Sequence, residues 1–439
     1  MAAAVTSSRP YHVIIFGASG FSGQFVVEEV ARYAAGSPGG GGAGGSAPLK
    51  WAVAGRSRQR LEDVLKRAAE RLSMPELRTD IEIIVADVSI EESLDLMCQQ
   101  GLVILNCVGP YRFYGEPVVK ACIANGAHYI DISGEPQFLE RMQLEYHTEA
   151  LDKGVYVIGS CGFDSIPADL GILYMQKQFK GTLTAVESFL KFTCGPEGSS
   201  GHDATWQSAV YSFADSRSLR QLRRKFGHKP LPVVGAKVKQ RSFLFFSKEI
   251  DQYTIPFMGS DHSVVKRTQR FLYEEDQQSP VRYSPYVGVG GLFSVVKIFC
   301  GGLVFWLMVK FSLGRKLLTS FPSFFSFGLF TKSGPTMKQI EDTCCSMTFY
   351  GEGYSEGSDP AQGQPNAKIC TQVTGADGYV ITASAMVQAA VTLLNELHSL
   401  PRRGGVYTPG AAFYKTSLIE RLNNHSLKFS VKANISHSK

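Results

Sequence analysis

Tyr11-His12-Val13-Ile14-Ile15-Phe16 runs straight into Gly17-Ala18-Ser19-Gly20-Phe21-Ser22-Gly23, and a helix is expected to follow over Gln24 to Tyr33. The first six residues read as a short buried strand. A strand, a glycine turn and a helix make a cradle for a pyrophosphate. Glycines let the chain turn sharply and let phosphate oxygens approach N–H groups at the positive end of a helix. By the usual division of labour Gly17 makes the turn, Gly20 leaves room for the phosphates and Gly23 lets helix and strand pack closely. The spacing is G-x-x-G-x-x-G, not the commoner G-x-G-x-x-G. Position directly after a strand and at the opening of a helix separates a dinucleotide site from a mere turn.

Working outward, the same alternation repeats. A strand at Trp51 to Gly55 precedes a helix with Leu61, Val64 and Leu65 at helical spacing, and Gly36 to Pro48 between them reads as a flexible loop. Further strands are expected at Ile81 to Val85, Val103 to Val108 and His128 to Ile132, with helices at Glu91 to Gln100 and near Pro117 to Asn125. Strands alternating with helices predict a parallel sheet covered on both faces, an α/β fold of Rossmann type.

Ligands of such sheets sit beyond the carboxyl ends of the strands, so the residues there are the ones to read. After the second strand an NAD site offers Asp or Glu to the ribose; this chain offers Gly55-Arg56-Ser57-Arg58. A guanidinium can clamp a 2′-phosphate in two-pronged fashion and Ser57 can donate to it, which points to NADP(H). Asp87 serves either the adenine edge or the cap of the next helix. Asn106, Gly109 and Pro110 form a tight turn beside the nicotinamide end, with Tyr111 and Tyr114 the nearest phenols. Expected cofactor contacts are therefore Gly17, Ser19, Gly20, Phe21, Ser22, Gly23, Arg56, Ser57, Asp87, Asn106, Gly109 and Pro110. Asp131 and Glu135 follow the fifth strand and could instead cap the helix that starts near Pro136.

At 439 residues the chain is long enough for two to three domains, and 44% hydrophobic with 19% charged residues excludes a disordered or fibrous protein. The net charge of +6 is mild, and no zinc-finger, RNA-binding or helix-turn-helix pattern accompanies it, so no nucleic-acid partner is expected. No metal site is assigned. Nine scattered Cys without a C-x-x-C pair favour reduced thiols in a cytosolic setting, and Met1 to Pro10 lacks the pattern of a secretory signal.

The 28 Phe are concentrated in part after Val287. Ile298 to Val309 is a run of 12 apolar or glycine residues, short of the ~20 that span a bilayer. Arg315 and Lys316 follow, then the aromatic patch Phe321 to Phe330, broken by Pro322. Two apolar pieces around a basic turn suit a segment lying in one leaflet or in a lipid-droplet monolayer. Upstream, residues 217 to 241 hold nine Lys or Arg and no acid, a composition that attracts anionic lipid. The expected location is the cytosolic side of membranes or a lipid droplet, with the lipid surface and a small-molecule substrate as partners and a homodimer compatible with the sequence.

The blocks Gly17 to Gly23, Ala54-Gly55-Arg56, Asn106 to Tyr111, Tyr129 to Glu135 and Gly162-Phe163-Asp164-Ser165-Ile166-Pro167-Ala168-Asp169-Leu170-Gly171 resemble the saccharopine dehydrogenase family. The resemblance is equally to a lipid-processing enoyl reductase branch that shares the glycine heptad and the Gly-Phe-Asp-Ser-Ile-Pro block. It implies a Rossmann domain over 1–165, a second α/β domain with a mixed sheet over 166–383 carrying the apolar insert 287–330, and a helical segment over 384–439 that returns to the first domain. Ser384 to Leu400 would supply the returning helix. A saccharopine enzyme needs cations around its substrate's carboxylates, and no such set is assignable by motif. A short-chain dehydrogenase would need Lys four residues after a Tyr, and none of the 18 Tyr has it. The expected activity is therefore an NADP(H)-dependent oxidation or reduction of a lipidic carbonyl or enoyl group, with a non-catalytic nucleotide-binding scaffold as the alternative. A proton donor is expected among Tyr111, Tyr114 and His202, the last following a second-domain strand at Val186 to Phe192.

Overall fold

A computed structural model describes residues 9–36, 49–236, 241–361 and 363–436. The expected loop at 37–48, residues 1–8, and Lys237 and Lys239 of the basic stretch lie outside the described residues.

The amino-terminal part alternates β1 (Tyr11–Phe16), α1 (Phe21–Ala34), β2 (Trp51–Gly55), α2 (Arg58–Leu72), β3 (Glu82–Val85), α3 (Glu91–Gln100), β4 (Gly101–Asn106), α4 (Tyr111–Asn125), β5 (His128–Asp131), α5 (Pro136–Lys153) and β6 (Tyr156–Ile158). The strands stack in the order β3-β2-β1-β4-β5-β6 with every pairing parallel, so their carboxyl ends share one edge. Strand periodicity divides β1 between two cores: Val13 and Ile15 face one, Ile14 and Phe16 the other. Helix α4 begins at Tyr111, well before the expected start near Pro117, because Pro117 is carried inside the helix.

The chain then forms α6 (Ile166–Gln178), β7 (Gly181–Thr193), β8 (Gly201–His202), α7 (Asp203–Ala214), α8 (Ser216–Lys225), β9 (Phe245–Ser247), β10 (Gln252–Pro256), α9 (Asp261–Asp276), β11 (Arg282–Gly290), α10 (Leu292–Met308), α11 (Ser312–Ser320), α12 (Pro322–Phe325), β12 (Phe330–Thr331), α13 (Met337–Glu341), β13 (Cys344–Ser355) and β14 (Ala367–Gly375). Last come α14 (Gly378–Asn395), β15 (Gly405–Tyr407), α15 (Pro409–Phe413), α16 (Leu418–Asn423) and β16 (Leu427–Ser436). The second sheet has seven strands in the order β16-β14-β13-β7-β11-β10-β9. It is mixed: β7 and β11 run parallel, and the other neighbours antiparallel.

The segment after residue 384 departs from the helical return expected of it. It also supplies a strand to each sheet, β15 alongside β6 and β16 alongside β14. The returning helix starts earlier than expected, at Gly378, because Asp377 caps it by accepting from the Tyr379 N–H at 2.8 Å. By length and composition α14 could cross a membrane, yet 67% of it is buried inside the protein. Its apolar residues from Ile381 to Leu393 join one continuous core that runs from the first sheet to the second.

The apolar insert is a helical cap with the opposite character. Val295 is the one buried residue of α10, while Phe293, Leu303, Phe311 and Phe324 are 60–76% exposed. One side of the cap is seated on α7, where Trp206 and Val210 pack with Val309 and Leu318 and the Trp206 indole donates to the Leu318 carbonyl at 2.9 Å. Lys297 and Lys310 lie over the rings of Phe293 and Trp306.

Candidate dinucleotide and substrate site

Gly17 takes a left-handed φ of +83°, and a Cβ there would stand 2.7 Å from Val108 Cγ2. A Cβ on Gly23 would lie 2.3 Å from the Gly17 carbonyl oxygen and 2.9 Å from Ala18 Cα. Only glycine fits either position. Gly20 is the N-cap of α1, and no side chain caps this helix. The N–H groups of Phe21, Ser22 and Gly23 in its first turn thus have no intrahelical partner and are free to meet phosphate oxygens. The cradle fits a dinucleotide pyrophosphate.

At the end of β2, Arg56 is exposed and has no hydrogen-bond partner among the described residues. Its neighbours are committed. Ser57 caps α2 by accepting from the Arg60 N–H at 3.4 Å, and Arg58 Nη2 donates to the Ile83 carbonyl at 3.1 Å. Asp87 does not cap α3, whose N-cap is Ile90. It accepts from the Ser89 N–H at 2.9 Å and the Ser89 hydroxyl at 2.7 Å. These two bonds, helped by the charge of Arg56, lower its pKa. Arg60, which the sequence reading passed over, lines a cleft of about 590 Å³ with Ser19, Asp63, Lys66, Arg67 and Glu70. Arg56→Ala is expected to weaken NADPH binding roughly 10- to 100-fold, the loss of one charge-assisted pair, and to leave NADH nearly unchanged. Equal losses in paired titrations would refute the clamp.

At the end of β4 the Asn106 side chain is consumed in holding the turn. Its Nδ2 donates to the Tyr129 hydroxyl at 3.0 Å and its Oδ1 accepts from the Val108 N–H at 3.0 Å. Contact with a cofactor here would come from the backbone of the turn through Gly109 and Pro110. The Tyr111 hydroxyl donates to the Asn106 carbonyl at 2.8 Å, and burial pushes its pKa well above the ordinary value. Tyr114 is exposed in the first turn of α4, with its ring against Phe113.

Glu135 does not cap α5, the helix it precedes. Its carboxylate accepts from the Tyr111 N–H at 2.9 Å and the Arg112 N–H at 3.2 Å, so it serves the start of α4 from the neighbouring strand end. Ser208 of α7 also donates to it, at 3.0 Å. Asp131 accepts from the N–H groups of Ser133 and Ser160, while its Oδ2 is buried without a partner. Burial pushes its pKa up to about 6. Burial likewise takes the Cys107 thiol up to about 12, which removes the thiolate a nucleophile would need.

His202 reaches this site from β8, one strand of a separate two-stranded ribbon. Its ring stacks on Phe21, with centroids 4.7 Å apart and planes at 17°, at the opening of α1. Tyr379 packs edge-on against the same Phe21 ring, and its hydroxyl accepts from the His202 N–H at 2.6 Å. The His202 Nδ1 accepts from the Ala204 N–H at 3.1 Å, which leaves the neutral ring's proton on Nε2. Burial lowers its pKa, keeping the neutral form at neutral pH. Strand β8, which carries His202, pairs with β12 at the end of the apolar cap. Tyr379 and the His202 to Phe21 contact join residues far apart in sequence, and no local pattern announces them.

An uncapped glycine turn with a free arginine after the second strand defines a Rossmann-type domain for NADP(H), the cofactor fold of a dehydrogenase or reductase. Residues 13–158 match the family model described as saccharopine dehydrogenase NADP binding domain. The chain is 57% identical over 427 residues to the saccharopine dehydrogenase-like oxidoreductase of Homo sapiens, covering 97% of this chain and 98% of that protein. It is 35% identical over 431 residues to the lipid droplet localized protein of Caenorhabditis elegans, covering 96% and 98%. The chain belongs to the saccharopine dehydrogenase-like oxidoreductases, as an NADP-dependent member. Its fold is shared with apo saccharopine dehydrogenase (L-Glu forming) from Saccharomyces cerevisiae, at 14% identity and a TM-score of 0.57 over 96% of this chain and 100% of that one.

Proposed function

We propose that this oxidoreductase acts on a carbonyl or enoyl group of a lipidic substrate while its helical cap is embedded in a membrane or lipid-droplet monolayer. The observation that carries the reading is the connection between cap and cradle. The cap ends in β12, β12 pairs with β8, and β8 places His202 on Phe21 at the mouth of the glycine turn. A substrate tail could thus lie along the exposed face of α10 and α11 while its polar end reaches the cofactor. Exposed Phe, Leu and Trp with cations beside their rings suit insertion to headgroup depth. The worm relative's description as a lipid droplet localized protein agrees with this placement.

NADPH, when bound, supplies the hydride. Gly17 to Gly23 would hold its pyrophosphate, Arg56 with Arg60 its 2′-phosphate, and the turn through Gly109 and Pro110 its nicotinamide end. His202 Nε2–H would donate a hydrogen bond to the substrate oxygen in exchange for its bond to the Lys332 carbonyl, and the proton that completes the reduction would come from Tyr114 or solvent. The test is NADPH oxidation by the purified chain on vesicles doped with long-chain enoyl or keto lipids. Turnover that falls more than tenfold in His202→Ala is expected. NADPH binding without turnover across such lipids and whole lipid extracts would favour the nucleotide-binding scaffold instead.

A further inference from the structure

We propose that the cleft between α5, α8, α9 and the turn after β15 binds a ligand carrying two or more phosphate groups, at a site separate from the dinucleotide cradle. The cleft encloses about 590 Å³ and shares no lining residue with the glycine turn or with the turns after β2, β4 and β5. That volume is within the range of small-molecule sites.

Its charge is lopsided. Six Lys or Arg line it (223, 229, 266, 267, 270 and 402) against three carboxylates, Glu140, Glu274 and Glu275. Each carboxylate is already paired. Arg223 grips Glu140 with two nitrogens, at 2.9 Å and 2.7 Å, Arg270 holds Glu274 at 2.9 Å, and Arg402 holds Glu275. Lys229, Lys266 and Arg267 have no carboxylate partner among the described residues, which leaves three positive charges over one cavity.

Arg267 is the most telling of them. It reaches into the interior, where its Nε donates to Gln143 Oε1 at 2.7 Å, and its other nitrogens make no hydrogen bond to the described residues. The carboxylates nearest to it, Glu140 and Asp169, already take other donors, with Asp169 Oδ1 left without one. Glu140 also takes the Ser263 hydroxyl at 2.6 Å, and Asp169 takes Thr268 and the Gly410 N–H at 2.8 and 2.7 Å. Burial draws the Arg267 pKa down to about 10 against the opposing pull of Glu140, Asp169 and Asp131. Arg267 is half-buried at the cleft, and with Lys229 and Lys266 it leaves donors for an anion there. Phosphate suits the lining because guanidinium and ammonium groups donate to several of its oxygens at once.

Two of the nine cations of the basic stretch noted at 217–241 are thereby placed, since Arg223 and Lys229 line this cleft. The phosphates could belong to a free metabolite or to a lipid headgroup. Calorimetry with inorganic pyrophosphate, on chain already saturated with NADPH so that the glycine cradle is filled, should show binding. The double variant Lys229→Ala/Lys266→Ala should weaken it at least tenfold while NADPH affinity stays as in the parent. In parallel, vesicles of phosphatidylcholine with and without a phosphoinositide separate the sources. Extra retention that the double variant loses identifies a headgroup site, and pyrophosphate binding without extra retention identifies a soluble ligand. No pyrophosphate binding together with no extra retention, or binding that the double variant leaves intact, would overturn the proposal.

Discussion

Gly23→Ala is expected to weaken NADPH binding on the order of 100-fold and to lower the unfolding temperature in the same stroke. The added carbon would stand 2.3 Å from the Gly17 carbonyl oxygen and 2.9 Å from Ala18 Cα, both backbone atoms that cannot swing aside. The helix must move away from the strand, and the first-turn N–H groups move with it. Overpacking of this kind costs ~1–3 kcal/mol in stability. Gly20→Ala makes the informative contrast. Its Cβ would meet the Gly17 carbonyl at 3.2 Å, a tight contact relieved by a shift of a few tenths of an ångström, so the loss of stability should be smaller than in Gly23→Ala. The space it fills is the space assigned to phosphate, so binding should still fall. Calorimetric titration and thermal melts on both variants separate the two effects, and wild-type affinity in Gly23→Ala would dispose of the cradle.

The second large effect concerns the cap. Phe293, Leu303 and Phe324 are 73%, 60% and 76% exposed, so replacing all three by Glu removes apolar surface without touching the core. Burying such a side chain in hydrocarbon is worth ~1.5–3 kcal/mol, and three together set a partition coefficient through a factor well above 100. The triple variant should move from the floating lipid fraction to the soluble one with NADPH affinity unchanged. Unaltered flotation would end the membrane reading. Point substitution is the cleaner route because deleting 287–330 would also strip Val309 and Leu318 from the cluster they share with Trp206.

The cradle and the sheet around it were legible in the sequence because each of their signals is local. A strand, three glycines and a helix lie within 24 residues, and Arg56 declares itself by standing where an acid would otherwise be. Glu135 shows where locality misleads: an acid just before a helix reads as its cap, yet this one serves Tyr111 and Arg112 across the sheet edge. His202 was visible as a residue but not as a neighbour of Phe21, since the contact depends on β8 pairing with β12. The cationic cleft was visible only through Arg223 and Lys229, the two of its cations that fall within the stretch that the sequence marked as basic. Its cations come from α8, α9 and the loops at 229 and 402, and the acids that pair with some of them sit on α5 and α9, so counting charges along 217–241 could not tell free cations from bonded ones.

The return of the chain to its first sheet has a temporal consequence. Residues 11–158 supply six parallel strands, but the seventh, β15, pairs through Gly405↔Tyr156 and Tyr407↔Ile158, and α14 packs onto β4, β5 and α1. On a ribosome the cofactor-binding domain is therefore begun first and completed almost last. Contacts that span some 250 residues are slow to close and leave strand β6 with an open edge in the meantime. Order of synthesis and order of completion thus run against each other in this chain: the first sheet to be made closes with one of the last strands.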